Sequence, residues 1–181
     1  MEANDFFKKA SEKIKFIIID SDGVLNDRSI QITESGHTVK TFDVHDCIAL
    51  QMAKSVGIHV DILTFRVTEI MKKFSERWGI EGVHSIMDGR KEKNLEDISL
   101  RMDITFDQML YIGDDVDDLP CICRAGFSAC PGDAVIEVKS ICDYVATSPG
   151  GRGAIREIIE GILKSKNAWP VLNFIIGERI V

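Results

Sequence analysis

The sequence has no apolar run near the ~20 residues that a bilayer-spanning helix requires, so no membrane-spanning helix is expected. Its start, Met1-Glu2-Ala3-Asn4-Asp5, lacks the basic and then apolar profile of a secretory signal, so a cytoplasmic location is expected. Excess positive charge is missing too. A net charge of −7 and a pI near 5.1 argue against broad electrostatic binding to nucleic acid or an anionic membrane surface. A small anionic substrate is still compatible, because a metal and a few Lys or Arg residues can reverse the potential locally. The cysteines Cys47, Cys121, Cys123, Cys130 and Cys142 are odd in number and lie in core-like stretches, which reads as reduced thiols. Cys121-Ile122-Cys123 lacks the two-residue spacing of a zinc site, and no second pair follows. Internal repeats, low-complexity segments and linkers are absent, so residues 1–181 read as one domain. At 45% hydrophobic and 28% charged residues, the chain is long and apolar enough to bury a full core without disulfides.

What is present is an alternation of strand-like and helix-like runs. Strands are expected near 15–20, 58–63, 83–86, 109–113, 127–130 and 143–146. Helices are expected near 45–56, 67–78, 91–102, 117–125 and 152–164. This order predicts an α/β fold, a Rossmann-like doubly wound parallel sheet with helices on both faces. Thr105-Phe106-Asp107-Gln108 reads as a capped turn before the fourth of these strands. Residues 28–42 break the alternation. Ile30-Gln31-Ile32-Thr33 and Thr38-Val39-Lys40-Thr41-Phe42 flank a Gly36 turn, which predicts a β-hairpin flap rising beside the acids that precede it.

The chemistry concentrates where apolar runs end. Phe16-Ile17-Ile18-Ile19 leads into Asp20-Ser21-Asp22-Gly23, and Met109-Leu110-Tyr111-Ile112 leads into Gly113-Asp114-Asp115-Val116-Asp117-Asp118. Both runs have the pattern of fully buried strands. Carboxylates at two buried strand ends cannot rely on solvation, which implies a bound cation. Ligands of open parallel sheets bind beyond the strands' carboxyl ends, where strand order reverses. If the first and fourth strands are neighbours, Asp20 and Asp114 converge, and a paired-carboxylate site suits Mg²⁺, with the backbone carbonyl of Asp22 as a further ligand. Asp20 is then the nucleophile forming an aspartyl-phosphate, and Asp22 the general acid and later base. Thr64 donates a hydroxyl to the phosphoryl oxygens and Lys93 neutralises transition-state charge. Asp115 and Asp118 orient metal-bound waters or the lysine. Each element alone has a structural explanation. Asp-x-Asp-Gly is common in turns, and the acids 114–118 could simply suit a helix dipole. Their order and their placement at strand ends favour a phosphoryl-transfer site.

In that order, Asp20-Ser21-Asp22-Gly23, Thr64, Lys93 and Gly113-Asp114-Asp115 with Asp118 resemble the motifs of the haloacid dehalogenase superfamily of phosphohydrolases. Phe42-Asp43-Val44-His45-Asp46, Gly57-Ile58 and Gly150-Gly151-Arg152-Gly153-Ala154-Ile155-Arg156-Glu157 are similar to one branch of it, over residues 13–164. That branch hydrolyses 3-deoxy-D-manno-octulosonate 8-phosphate, and close relatives act on nine-carbon sialic-acid-type sugar phosphates. The resemblance implies a Mg²⁺-dependent phosphatase of a sugar acid phosphate. It also implies a homo-tetramer in which hairpins and C-terminal tails contact neighbouring protomers, with Arg66 or Arg152 binding the substrate carboxylate. Residues 23–63 are already filled by the hairpin, a helix and a strand, and residues 94–113 by a helix and a strand, so no separate cap domain fits. Ser21, His45, Cys47 and Phe65 depart from the branch's usual hydrophobic residue, Arg, Gly and Gly, which touches substrate choice rather than hydrolysis. The apolar stretch Trp169–Ile176 in the tail 166–181 suggests a contact surface. Two other classes stay open: a non-enzymatic module assembling with a sugar-nucleotide synthetase, and a phosphoacceptor signalling domain. The second acid, Asp22, opposes the latter because it supplies turnover.

Overall fold

The computed structural model describes residues 3–65, 67–80, 82–86 and 90–169. Arg66 and residues 170–181 of the tail lie outside the described residues. Strand β1 (Phe16–Asp20) is followed by the two-residue strands β2 (Gln31–Ile32) and β3 (Thr38–Val39). Then come β4 (His59–Thr64), β5 (Gly82–Ser85), β6 (Met109–Ile112), β7 (Phe127–Cys130) and β8 (Tyr144–Val145). The helices are α1 (Ala3–Lys13), α2 (Val44–Ser55), α3 (Glu69–Trp78), α4 (Lys91–Met102), α5 (Leu119–Arg124), α6 (Ile136–Lys139) and α7 (Ala154–Ser165).

Six strands form one parallel sheet in the order β5-β4-β1-β6-β7-β8. The chain proceeds outward on one side of β1 and then returns to build the other. The order therefore reverses at β1 and β6, whose register pairs Ile19 with Ile112. The five residues of β1 are all buried, as a central strand covered on both faces requires. Side chains alternate between two apolar layers. Ile17, Ile19, Ile62, Leu110 and Ile112 pack with α1, α2, α3 and α7. Phe16, Ile18, Leu63, Met109 and Tyr111 pack with Leu95 and Ile98 of α4 and with Cys121 and Ile122 of α5. All five cysteines are free thiols. No helix among the described residues is long and apolar enough to cross a membrane.

Two elements extend the sequence reading. α1 is an amphipathic helix whose buried Phe6 and Ala10 join the first layer, and Phe6 stacks on Tyr144 at 5.2 Å. α6 is a single turn with Val138 buried. The hairpin is present but minimal: Gln31 pairs with Val39 and Ile32 with Thr38, and all four residues are exposed. At the 3₁₀ turn Phe106–Gln108, the Gln108 side chain accepts the Thr105 N–H at 3.2 Å, the capped turn expected there.

The Gly-Gly-Arg-Gly block has a packing explanation. A Cβ on Gly150 would lie 1.8 Å from the carbonyl oxygen of Gly23, and one on Gly151 would lie 2.4 Å from the backbone of Asn26. The Gly151 N–H also donates to the Val24 carbonyl at 2.9 Å. This block is thus the bed on which the loop after β1 rests. Asp46 of α2, fully buried, accepts the N–H groups of Gly153 and Arg156 at 3.0 and 2.8 Å and so caps α7 from outside. Glu157 closes the other flank by accepting from the Thr147 and Ser148 backbone N–H groups and hydroxyls and from the Tyr144 hydroxyl.

Candidate active site

Asp20 and Asp114 meet because β1 and β6 are neighbours and both turn outward at the same level. With Thr64, Asp22, Phe65, Lys91, Asp115 and Asp117, they line a cavity of about 190 Å³. Asp20 is 6% exposed. Its Oδ2 accepts the Asp22 N–H at 2.9 Å and its Oδ1 accepts from Lys91 Nζ at 2.8 Å. Burial, with the nearby charge of Asp118 adding to it, pushes the Asp20 carboxyl up to about 8 against the opposing pull of Lys91. Asp114 is pushed up to about 7, by burial first and Asp118 second. Acids held this far above their ordinary range are poised for a cation.

Asp114 supplies the direct test of that fit. Its Oδ2 accepts from Arg28 Nη1 at 3.1 Å, while its Oδ1 is buried with no hydrogen-bond partner. A buried carboxylate oxygen without a partner is costly unless something fills its lone pairs. One oxygen each from Asp20, Asp114 and Asp118 lie within 4.8 Å of one another. Asp118, however, is saturated. Its Oδ1 accepts from Lys91 Nζ and the Tyr111 hydroxyl, both at 2.6 Å, and its Oδ2 from the N–H groups of Asp114 and Asp115 at 2.8 and 3.2 Å. It anchors the site rather than offering a ligand atom. The residues present fit a hard divalent cation held between Asp20 and Asp114. The Asp22 carboxylate lies outside that oxygen cluster, because Asn26 Nδ2 at 2.6 Å and Lys40 Nζ hold its Oδ1.

The lysine differs from the sequence expectation. Lys91, not Lys93, enters the site, with Nζ 2.8 Å from Asp20 and 2.6 Å from both Asp117 and Asp118. Lys91 opens α4, and Lys93 is two residues later, roughly 200° around the helix axis, so the two cannot point the same way. Burial would lower the Lys91 pKa, but Asp20 and Asp118 overcome it and hold the ammonium charged well above the usual lysine range. Its Nζ also sits 5.2 Å from the centre of the Phe65 ring, a cation–π contact at the mouth of the cavity.

Thr64 is buried at the end of β4 and lines the cavity as expected. Asp115 is exposed at the rim, where its Oδ1 accepts the Val116 N–H at 2.7 Å. Arg152 is not brought to the acids. It pairs with Asp27 at 3.0 Å and lines a separate groove with His45, Arg156 and Glu157. Sequence reasoning missed Lys91, Arg28 and Lys40. Only Lys91 had a signal, the helix phase of Arg90-Lys91-Glu92-Lys93 after an uncapped start.

Residues 85–158 match the haloacid dehalogenase-like hydrolase family. The 3-deoxy-D-manno-octulosonate 8-phosphate phosphatase of Haemophilus influenzae is 35% identical over 164 residues, which is 90% of this chain and 89% of that protein. The Moraxella catarrhalis phosphatase of the same name, solved in complex with magnesium, phosphate and KDO, superposes with a TM-score of 0.88 at 31% identity over 93% of this chain and 96% of that one. The cobalt-bound Haemophilus influenzae structure gives a TM-score of 0.85 at 32% identity over 92% of this chain and 99% of that one. The motif order, the switch-point acids and these likenesses agree: the chain belongs to the haloacid dehalogenase-like hydrolase family, in the branch of the 3-deoxy-D-manno-octulosonate 8-phosphate phosphatases.

Proposed function

We propose that this chain is a Mg²⁺-dependent phosphomonoesterase acting on a phosphorylated keto-deoxy sugar acid, 3-deoxy-D-manno-octulosonate 8-phosphate. The observation that carries the reading is the buried Asp20–Asp114 pair at the strand-order switch, with Asp114 Oδ1 left for a cation and Lys91 on Asp20. The names of the relatives and the magnesium and phosphate of the Moraxella catarrhalis complex support it.

Asp20 attacks phosphorus, the bond to the sugar oxygen breaks, and Asp22 gives that oxygen its proton. Water then attacks the aspartyl-phosphate, Asp22 takes the water's proton, and the acyl–phosphate bond breaks to release phosphate and free Asp20. Asp22 suits both tasks because its side chain is 43% exposed and faces the cavity beside Lys40. Lys91 and the Thr64 hydroxyl neutralise charge on the equatorial oxygens. Asp20, Asp114 and the Asp22 backbone carbonyl would hold a Mg²⁺ ion, which would supply further charge neutralisation for the phosphoryl group. Asp118 holds Lys91 in place, and Asp115 and Asp117 complete the acidic rim.

The protein works as a single domain in the cytoplasm and as a homo-tetramer. Exposed Ile30, Ile32 and Val39 on the hairpin support assembly, since short ribbons rarely carry three apolar residues into water. Arg66 and Arg152 are the candidates for the substrate carboxylate, with Arg152 serving a site completed by a neighbour. The basic test is phosphate release from an aryl phosphate with and without Mg²⁺. Hydrolysis that needs the metal supports the reading, and a pure folded protein with none sinks it.

A further inference from the structure

Arg28 has no part in the mechanism above, yet it touches the centre of the site. Its φ is +65°, a region that crowds the Cβ of an L residue. Among the described residues the other non-glycine cases are Asp103, which closes α4, and Asn167, both of types that tolerate this conformation. Arg28 closes no helix, so specific contacts must hold it. Its backbone N–H donates to Asn26 Oδ1 at 2.8 Å, and the fully buried Asn26 amide donates in turn to Asp22 at 2.6 Å. Its guanidinium is spread over two loops. Nη1 donates to Asp114 Oδ2 at 3.1 Å and to the Asp133 carbonyl at 3.2 Å, and Nη2 donates to the same carbonyl at 3.2 Å and to the Asp133 carboxylate. Asp133 is itself fixed, accepting the Gly150 N–H at 2.9 Å. The arginine therefore lies against the one carboxylate, among the described residues, that has a buried oxygen without a hydrogen-bond partner.

We propose that Arg28 sets the affinity of the site for its divalent cation, an inference that rests on the Mg²⁺-dependent reading above. Its fixed charge occupies Asp114 Oδ2, leaves Oδ1 for the metal, and opposes that metal electrostatically. The other charged groups at the cavity are Asp20, Asp22, Asp115, Asp117 and Asp118, with Lys91 on Asp20 and Lys40 on Asp22. Among the described residues Arg28 is thus one of three cations tempering a strongly acidic cavity and the one that touches Asp114. A unit charge in contact with a ligand carboxylate weakens divalent binding roughly tenfold even when screened as in water. The result is a metal that exchanges rather than one held permanently.

The test is Mg²⁺ titration by calorimetry of the full chain and of Arg28→Gln, Arg28→Gly and Arg28→Lys. Glycine adopts φ +65° freely, so it separates charge from backbone strain. Both neutral variants should bind Mg²⁺ about tenfold more tightly, and Arg28→Lys should stay within about twofold of the parent. Folded neutral variants with unchanged or weaker affinity overturn the proposal, as does a lowered unfolding temperature in chelator as their sole effect. A parent chain that binds no Mg²⁺ overturns the phosphatase reading itself, whereas a metal-dependent parent with indifferent Arg28 variants overturns this inference alone.

Discussion

Replacing Lys91 by methionine separates the structural account from a reading of sequence motifs. The side chain is 2% exposed and its ammonium reaches Asp20, Asp117 and Asp118. Removing one partner of a buried ion pair costs about 3–5 kcal/mol, because the other charge is left uncompensated. Two features place this case at the lower end, about 3 kcal/mol. Asp118 keeps the Tyr111 hydroxyl and two backbone N–H donors. Asp20 loses the cation that opposes the upward push of burial and Asp118, so its carboxyl rises further and sheds its charge rather than carrying it unpaired. That escape disables it, since a neutral carboxyl is no nucleophile. Adding a loss of the size seen for a missing oxyanion donor, about 10²–10³, kcat should fall by roughly 10³ or more. Lys93→Met, on the other side of α4, should lower kcat far less than Lys91→Met. Urea unfolding and phosphate release from an aryl phosphate at saturating Mg²⁺ measure both effects. A Lys91→Met enzyme of near-parental rate beside an inactive Lys93→Met enzyme would refute the placement.

Asp20→Asn should abolish turnover while the protein stays folded, because the amide keeps the volume of a buried side chain but cannot attack phosphorus; residual activity in a pure variant would contradict the assignment. Gly150→Ala should lose activity together with stability, since its Cβ would lie 1.8 Å from the Gly23 carbonyl oxygen and must displace the loop carrying Asp22; parental kinetics would show that the two loops are independent. Glu157 predicts an acid-side effect. Burial opposes its charge, but the donors of Thr147, Ser148 and Tyr144 prevail and bring its carboxyl down to about 2 from the ordinary 4.5. Its folded pKa is the lower one, so its contribution is complete above about 4.5 and is lost as pH falls toward about 2. After discounting for solvent screening, this amounts to about 2 kcal/mol. Chelator-free urea titrations at pH 7 and pH 3 should show Glu157→Gln destabilised at the higher pH and closer to the parent at the lower.

The sheet was legible because its strands are continuous apolar runs. Phe127–Cys130 was expected at those same residues, and β1, β4 and β6 end within a residue of the expected limits. The parallel sheet followed from the alternation of elements, but the β1–β6 adjacency entered only as a condition, because alternation does not fix strand order. The structure meets that condition and so brings Asp20 and Asp114 together. α1 was absent from the reading although Phe6, Ala10 and Ile14 recur every four residues, a helical stripe hidden in a charged segment. The identity of the lysine depended on where α4 begins. Arg90 offers no side-chain cap to mark that start, and a shift of two residues turns the helix to its far side. Arg28 and Lys40 were beyond reach for another reason. Both lie on the segment between β1 and α2, whose path across the acids is fixed by Asn26, Asp133 and the glycine bed rather than by any local pattern. The hairpin was read correctly as a hairpin, but not its small extent, since two-residue strands carry no periodicity.

The central claim is the substrate, and the direct measurement is kcat/KM by phosphate release over a panel of 3-deoxy-D-manno-octulosonate 8-phosphate, a nine-carbon sialic-acid-type 9-phosphate and simple sugar phosphates, all at saturating Mg²⁺. The account predicts the highest value for the eight-carbon keto-deoxy acid. It further predicts a loss of at least tenfold for phosphates that lack the carboxylate, which leave a cation of the site unpaired. A flat profile across the panel, or a clear preference for a simple sugar phosphate, would contradict it.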